Sequence, residues 1–363
     1  MNKCFITKLP SSVDNDNLPV LGQLRINWPK QSDLTDNDAR AIGLSTNDSI
    51  TVKVSGAHLT DSTLASNIGN TKTITSADDL VWLYVSNDAD ATLTIDNKYA
   101  LTQLNFVKPG KINLKRSVYF DIEDIKYCTS LTILALVNTQ VSGDISAVSQ
   151  LTALTSLILS NTQVSGDISA VSQLTALGSL SLDNIQVSGD ISAVSNLTNL
   201  YNLSLNNTQI SGDISGVSKL VNLNNLRLSD TKISGMVDNL AGLTKINYMD
   251  QLTNMSLTGD MSKIPANVCA INQAGRKITT NFTWTANGRQ NATLLAMVGN
   301  IPFDTASMDN MLIDQATCTF KGSDALPWSK IVSVSGTRTS ASDAAVTAIQ
   351  NMGVTITGVT KQA

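Results

Sequence analysis

His58 is the only histidine in the 363 residues, and Glu123 is the only glutamate. With one histidine, in the loop-like stretch "SGAHLT", neither a His-based triad nor a two-His metal site is expected. Paired-carboxylate chemistry would fall to the 28 aspartates that make up the remaining acids. The acidic runs "DNDN" at 14–17 and "NDADA" at 87–91 hint at calcium. Neither has the glycine at the sixth loop position nor the glutamate at the twelfth that a helix–loop–helix calcium site needs, so both read as solvated turns. The spacing of Cys4, Cys128, Cys269 and Cys318 fits no metal pattern. Cys128 stands 23 residues before Leu151, in a leucine slot, and reads as a small buried hydrophobe. The alternative for the others is a Cys269–Cys318 disulfide. A column of aspartates, Asp144, Asp167, Asp190 and Asp213, forms either a cation-binding edge or four backbone caps. Met236 interrupts it in the fifth copy, which favours the caps. No phosphate-binding glycine loop is present. The expectation is a chain without catalytic residues, cofactor or metal.

The elements that place these residues repeat. "VSGDISAV" stands at 141–148, 164–171 and 187–194, with "ISGDISGV" at 210–217. Gly143, Gly166, Gly189, Gly212 and Gly235 are 23 residues apart, and Gly259 follows after 24. A fixed period of this length is the signature of stacked repeats, in which one unit cannot bury its apolar face alone. In the unit 151–173, Leu157 and Leu159 alternate as in a short strand. Thr162 to Gly166 reads as a turn, and Asp167 as the cap of one or two helical turns.

The pattern "L-x-x-L-x-L-x-x-T-x-V-S-G-D-I" resembles the leucine-rich repeat, over about 125–261. Thr139, Thr162, Thr208 and Thr231 stand where that family usually has Asn or Cys, and Ile185 takes the place in the third copy. A threonine hydroxyl can bond to nearby backbone; isoleucine cannot. The resemblance implies an α/β fold: a curved solenoid of 23-residue repeats with parallel strands inside the curve. It also implies a concave binding face. That face would show Ile133, Ala135 and Val137, then Ser156, Ile158 and Ser160, then Ser179, Ser181 and Asp183. Asn202, Ser204 and Asn206, then Asn225, Arg227 and Ser229, would follow. It carries no aromatic residue. Binding hot spots are enriched in Trp, Tyr and Arg, so only Arg227 and the neighbouring Tyr201 qualify, and the array reads in part as a spacer. Segments such as "TKLPSSVDNDNLPVLG" and "GTRTSASDAAV" are similar to leucine-rich repeat proteins of gut Bacteroidales and their phages.

Four regions follow. Residues 1–60 form a small β-rich module and possible anchor, with strands in "CFITKLP", "GQLRINW" and "DSITVKVSG" and a short helix over 34–43 ended by Gly43. Residues 61–124 form a connector and N-terminal cap, with strands at 80–86, 91–96 and 101–107; the solenoid spans 125–261. Residues 262–363 form an α/β cap, with strands in "ITTNFTWT", "KIVSVSG" and "VTITGV", and helices at 289–299 and from Ser342 to Gly353. Only 15% of residues are charged, with a net charge of −4 and no basic stripe, so no nucleic-acid partner is expected. No stretch reaches 18 apolar residues, so no membrane span is expected. The composition resembles surface adhesins and fibres, yet no secretory signal is seen at the N-terminus. The leading expectation is a non-enzymatic virion protein, a phage fibre or decoration that recognises a protein or surface glycan on a bacterial cell. Its N-terminal module would attach to virion structural proteins. An exported adhesin and a cytosolic interaction scaffold are the alternatives.

Overall fold

The computed structural model describes residues 23–28, 41–55, 57, 59–60, 67–76, 80–85, 90–106, 118–246, 248–250, 256–266, 268, 270–272, 282–288, 296–318 and 331–362. Its centre is a leucine-rich repeat solenoid. Each turn runs through an inner strand, a sharp bend, a second strand and a 3-10 turn. The inner strands are Ile133–Ala135, Ser156–Ile158, Ser179–Ser181, Asn202–Ser204, Asn225–Arg227 and Tyr248–Asp250. They pair in parallel, each residue opposite its equivalent in the next copy, as in Leu157 with Leu180. Period-2 geometry turns the middle residue of each strand inward. Leu134, Leu157, Leu180, Leu203, Leu226 and Met249 are accordingly buried.

The bend after each inner strand is made by Asn138, Asn161, Asn184, Asn207 and Asp230, all at φ between 54° and 58°. Asn and Asp tolerate this left-handed conformation better than other side chains. Asn184 and Asn207 also donate to the asparagine one turn before, at 2.9 and 2.8 Å. The threonine that follows is buried, and its hydroxyl donates back to the carbonyl three residues earlier: Thr139 to Leu136 at 2.6 Å, and Thr162, Thr208 and Thr231 likewise at 2.7 Å. Ile185 fills the same slot as a purely apolar plug.

Thr162 to Gly166 is not a turn. Gln163–Asp167 is a strand, and with Ser142–Asp144, Gln186–Asp190, Gln209–Asp213, Lys232–Met236 and Ser256–Thr258 it forms a second parallel ladder. The turn-forming residues are overridden because adjacent copies satisfy each other's backbone. This ladder is sheared: Ser165 pairs with Gln186 rather than with Ser188. The shear lays each aspartate carboxylate over the next glycine. A Cβ on Gly166 would come within 2.8 Å of the Asp144 carboxylate, and its φ of 110° already excludes most side chains.

The inner ladder does not stop at the first copy. Leu101–Asn105 extends it in parallel, with Leu104 opposite Leu134. Ala41–Thr46, Val81–Val85, Leu59–Thr60 and Asn67–Gly69 then continue the same sheet antiparallel. A second, four-stranded antiparallel sheet orders Leu24–Trp28, Ala91–Asp96, Ile50–Ser55 and Thr71–Ile74. Its alternating burial puts Ile26, Leu93, Ile95 and Val52 into a core continuous with the solenoid, where Trp28 meets Phe106 edge-on at 5.7 Å. Strand pairing thus runs across position 60. Two local expectations are corrected. Of the helix expected over 34–43, Ala41–Gly43 is strand, with Gly43 under the Trp82 ring, where a Cβ would be 3.1 Å from it; 34–40 lie outside the described residues. The supposed connector at 61–79 contains Asn67–Gly69 and Thr71–Ile74, the latter an edge strand whose three exposed residues hide the period-2 signal.

Beyond the solenoid, Ala270–Asn272, Ala296–Pro302, Ile331–Arg338 and Thr355–Lys361 form a parallel sheet. The helices Thr305–Ala316 and Asp343–Asn351 are its crossovers. Of the helix expected over 289–299, the part from Ala296 on is corrected, since Ala296–Pro302 is a strand between two parallel neighbours; 289–295 lie outside the described residues.

Candidate functional site

The first and third residues of each inner strand look outward, but few are open. Among the expected binding residues, Ala135, Val137, Ser160, Ser179, Ser204, Asn206 and Ser229 are buried. Ile133, Ser156, Ile158, Ser181, Asp183, Asn202, Asn225 and Arg227 are half-buried. Hydrogen bonds between turns explain the closure. Asp183 Oδ2 accepts from Ser160 Oγ at 3.2 Å and from Ser181 Oγ at 3.0 Å. Its Oδ1 accepts from Ser204 Oγ at 2.6 Å and from the Asn206 N–H at 3.0 Å. A carboxylate so engaged is an internal clasp across three turns, with little left to offer as a base or ligand. The amides form a row beside it. Asn225 donates to Asn202 Oδ1 at 2.9 Å, and Asn202 donates to Ser179 Oγ at 3.1 Å. Asn206 Oδ1 accepts the Ser229 N–H at 2.7 Å.

Tyr201 breaks this closed pattern. It precedes the strand Asn202–Ser204 and is 56% exposed. Its ring lies over Gly178, where a Cβ would stand 2.8 Å from Tyr201 Cε1. Glycine in that slot, where the previous copy has Thr155, leaves room for the ring to lie across the sheet. Arg227 pairs with Ser204, three residues along and one strand across, which is a diagonal of about 11 Å. Val221, 49% exposed, belongs to the next turn.

The aspartate column resolves into caps. Asp144, Asp167, Asp190 and Asp213 accept the N–H of Ser146, Ser169, Ser192 and Ser215 at 2.7–2.8 Å, each opening a 3-10 turn. Hydrogen bonds from Ser169 and Ser215 hold the Asp167 and Asp213 carboxyls below their usual range. Met236 caps nothing; Asp238 instead accepts the Asp260 N–H at 2.9 Å. Among the described residues no three of His, Cys, Asp and Glu gather around a point. Cys128 is buried, and burial pushes its thiol up to about 11. Cys318 is buried. Cys269, His58, the run at 14–17 and most of 87–91 lie outside the described residues.

The cap beyond the solenoid is clasped by carboxylates that the sequence did not single out. Asp260 accepts from the Ser262 and Thr285 N–H groups at 2.9 and 3.2 Å. Asp309 accepts from Thr339 Oγ1 at 2.7 Å and Ser342 Oγ at 2.6 Å. Asp314 accepts from Trp284 Nε1 at 2.9 Å.

No known family profile matches the chain, and no curated protein matches it. Several solved structures are similar. A leucine-rich repeat protein of Leptospira interrogans is 16% identical, with a TM-score of 0.40 over 66% of this chain and 63% of its own. The leucine-rich repeat ectodomain of the membrane receptor kinase GASSHO1/SCHENGEN3 from Arabidopsis thaliana is 18% identical, with a TM-score of 0.40 over 72% of this chain and 38% of that one. A plant peptide hormone receptor in complex with RGF2 is 17% identical, with a TM-score of 0.38 over 68% of this chain. The chain spans half the length of that receptor.

Proposed function

We propose that this chain is a non-enzymatic binding protein of a virion or cell surface, from a gut bacterium or its phage. The solenoid holds a recognition patch away from an N-terminal attachment module. The observation that supports it most is Tyr201. On a concave face whose polar groups bond to one another, a tyrosine lies open on a glycine, one diagonal from Arg227. These are the residue types that dominate protein–protein binding energy. The partner is a protein or surface glycan on a bacterial cell. The one sheet shared by the N-terminal strands and the solenoid suits display, because force or orientation applied at one end reaches the patch through paired backbone. Near-identical copies at 151–173 and 174–196 suit a rod whose length is adjusted by duplication.

Binding of the whole labelled chain to intact cells tests the patch. Tyr201→Ala with Arg227→Ala should lower cell binding at least tenfold while the thermal midpoint stays within about 2 °C. Undiminished binding by the double variant rejects it. The virion assignment has its own test, in the neighbouring genes and the protein content of purified particles. Capsid and tail genes beside this one support it. A secretion operon without them replaces it with an exported adhesin.

A further inference from the structure

We infer that the cleft where the N-terminal antiparallel sheet meets the first solenoid turns is a saccharide-binding site. It is a hollow of about 750 Å³, within the range of small-molecule pockets and at the kind of junction where they occur. Its walls come from separate elements held by backbone bonds. Asn27 and Tyr119 exchange both N–H···O bonds, at 3.0 and 2.9 Å, and the Gln140 N–H donates to the Val118 carbonyl at 2.9 Å. The site is therefore preformed.

Its chemistry fits a sugar. Tyr119 lines the cleft and is 46% exposed. It is an exposed aromatic surface separate from Tyr201, and its ring can take the C–H face of a pyranose. Around it stand planar groups that both donate and accept, as vicinal hydroxyls require. Gln163 donates to Gln140 Oε1 at 2.5 Å, which leaves Gln140 Nε2 and Gln163 Oε1 as a donor and an acceptor on adjacent turns. Asn27 accepts from Thr92 at 3.2 Å through Oδ1 alone, keeping its N–H groups. Asp121 caps Glu123 with Oδ1 and keeps Oδ2. Among the described lining residues Asp121 and Asp124 stand against the single cation Arg25, a balance that favours a neutral ligand over an anionic one.

The test is saturation-transfer NMR on the full chain. The probes are the methyl glycosides of galactose, glucose, mannose and N-acetylglucosamine, with an arginine-containing pentapeptide alongside. At least one glycoside should bind with a Kd of order millimolar, typical of a single sugar contact. Tyr119→Ala and Gln140→Ala should each weaken it at least fivefold; Tyr119→Phe should not. Tyr201→Ala should leave it unchanged, so the outcome is separate from that of the concave patch. Gln140 is exposed, and its variant keeps the test valid if Tyr119→Ala fails to fold. The inference is overturned if no glycoside binds, if binding survives both alanine variants, or if only the peptide binds.

Discussion

Replacing Asp183 with alanine tests whether the concave face is held together from within. Four donors lose their acceptor: the hydroxyls of Ser160, Ser181 and Ser204 and the N–H of Asn206. Ser160 and Ser181 lie 3.0 Å apart and can pair with each other. Ser204 and Asn206 are 3% and 9% exposed and have little water to turn to. Two buried donors left without a charged acceptor cost about 1–3 kcal/mol each, so the expected loss is roughly 2–4 kcal/mol after partial relaxation. An exposed cap such as Asp167→Ala should cost about 1 kcal/mol. Hydrogen exchange reads the difference locally. The Asn206 amide should exchange roughly 30- to 800-fold faster in the Asp183→Ala variant, at about tenfold per 1.4 kcal/mol. Asp183→Asn, which keeps an acceptor, should fall between. Amides in the strand Thr355–Lys361 should not change, because a solenoid transmits stability chiefly between neighbouring turns. The reasoning fails if Asp183→Ala accelerates Asn206 by less than threefold, or by no more than Asp167→Ala does.

Cys128, with its thiol raised to about 11 by burial, should resist iodoacetamide at pH 8 in the folded protein and react within minutes in urea; rapid native labelling would contradict its placement. Deleting 174–196 removes one complete turn and joins Gln173 to Leu197 in register, so the product should fold cooperatively, whereas an 11-residue deletion should not; circular dichroism melts that look alike would refute the 23-residue unit. At Asp260 and Asp309 burial pushes the carboxyl up, yet the bonds from Ser262 and Thr285, and from Ser342 and Thr339, together outweigh it and the net shift is down. Carboxyls lowered on folding stabilise above the unfolded value near pH 4 and lose that contribution as pH falls below it. The Thr285 and Thr339 amides should therefore lose protection at pH 3 relative to pH 6, after correction for intrinsic rate, and equal protection would count against the clasps.

The 23-residue period, the inward leucines and the aspartate caps are legible because each is local and written several times. The second ladder is not. Gln163–Asp167 has the serine and glycine of a turn, and becomes a strand only because Gln186–Asp190 lies beside it. The helix Thr305–Ala316 left a readable trace in the Asp304 cap and in the buried Met308, Met311 and Leu312 at helical spacing. Residue types on the concave face can be read along the chain, but their burial cannot, since it depends on bonds such as Ser204 to Asp183, 21 residues apart. The cleft is less legible still. Its walls at Asn27, Tyr119, Gln140 and Gln163 meet only because an antiparallel sheet closes on the first turns of the solenoid.

In an array this regular, departures from the repeat are the informative positions, and most come with a partner. Tyr201 goes with Gly178, which clears the surface beneath its ring. Met236 abandons the cap position, and Asp238, two residues on, binds the following turn. Asp183 occupies a slot held by Val137, Ser160, Asn206 and Ser229 in the other copies, and small hydroxyls on both neighbouring turns point their bonds at it. Ile185 is the exception: it replaces a hydrogen-bonding threonine and is repaired by burial alone. Asp183 and Asp238 restore bonds between turns, so they serve the stack. The Gly178–Tyr201 pair restores nothing in the stack, since Thr155 fills the equivalent slot without it. What that pair adds is exposed aromatic surface, which is why we propose the recognition patch there and not at the carboxylate that the sequence makes conspicuous.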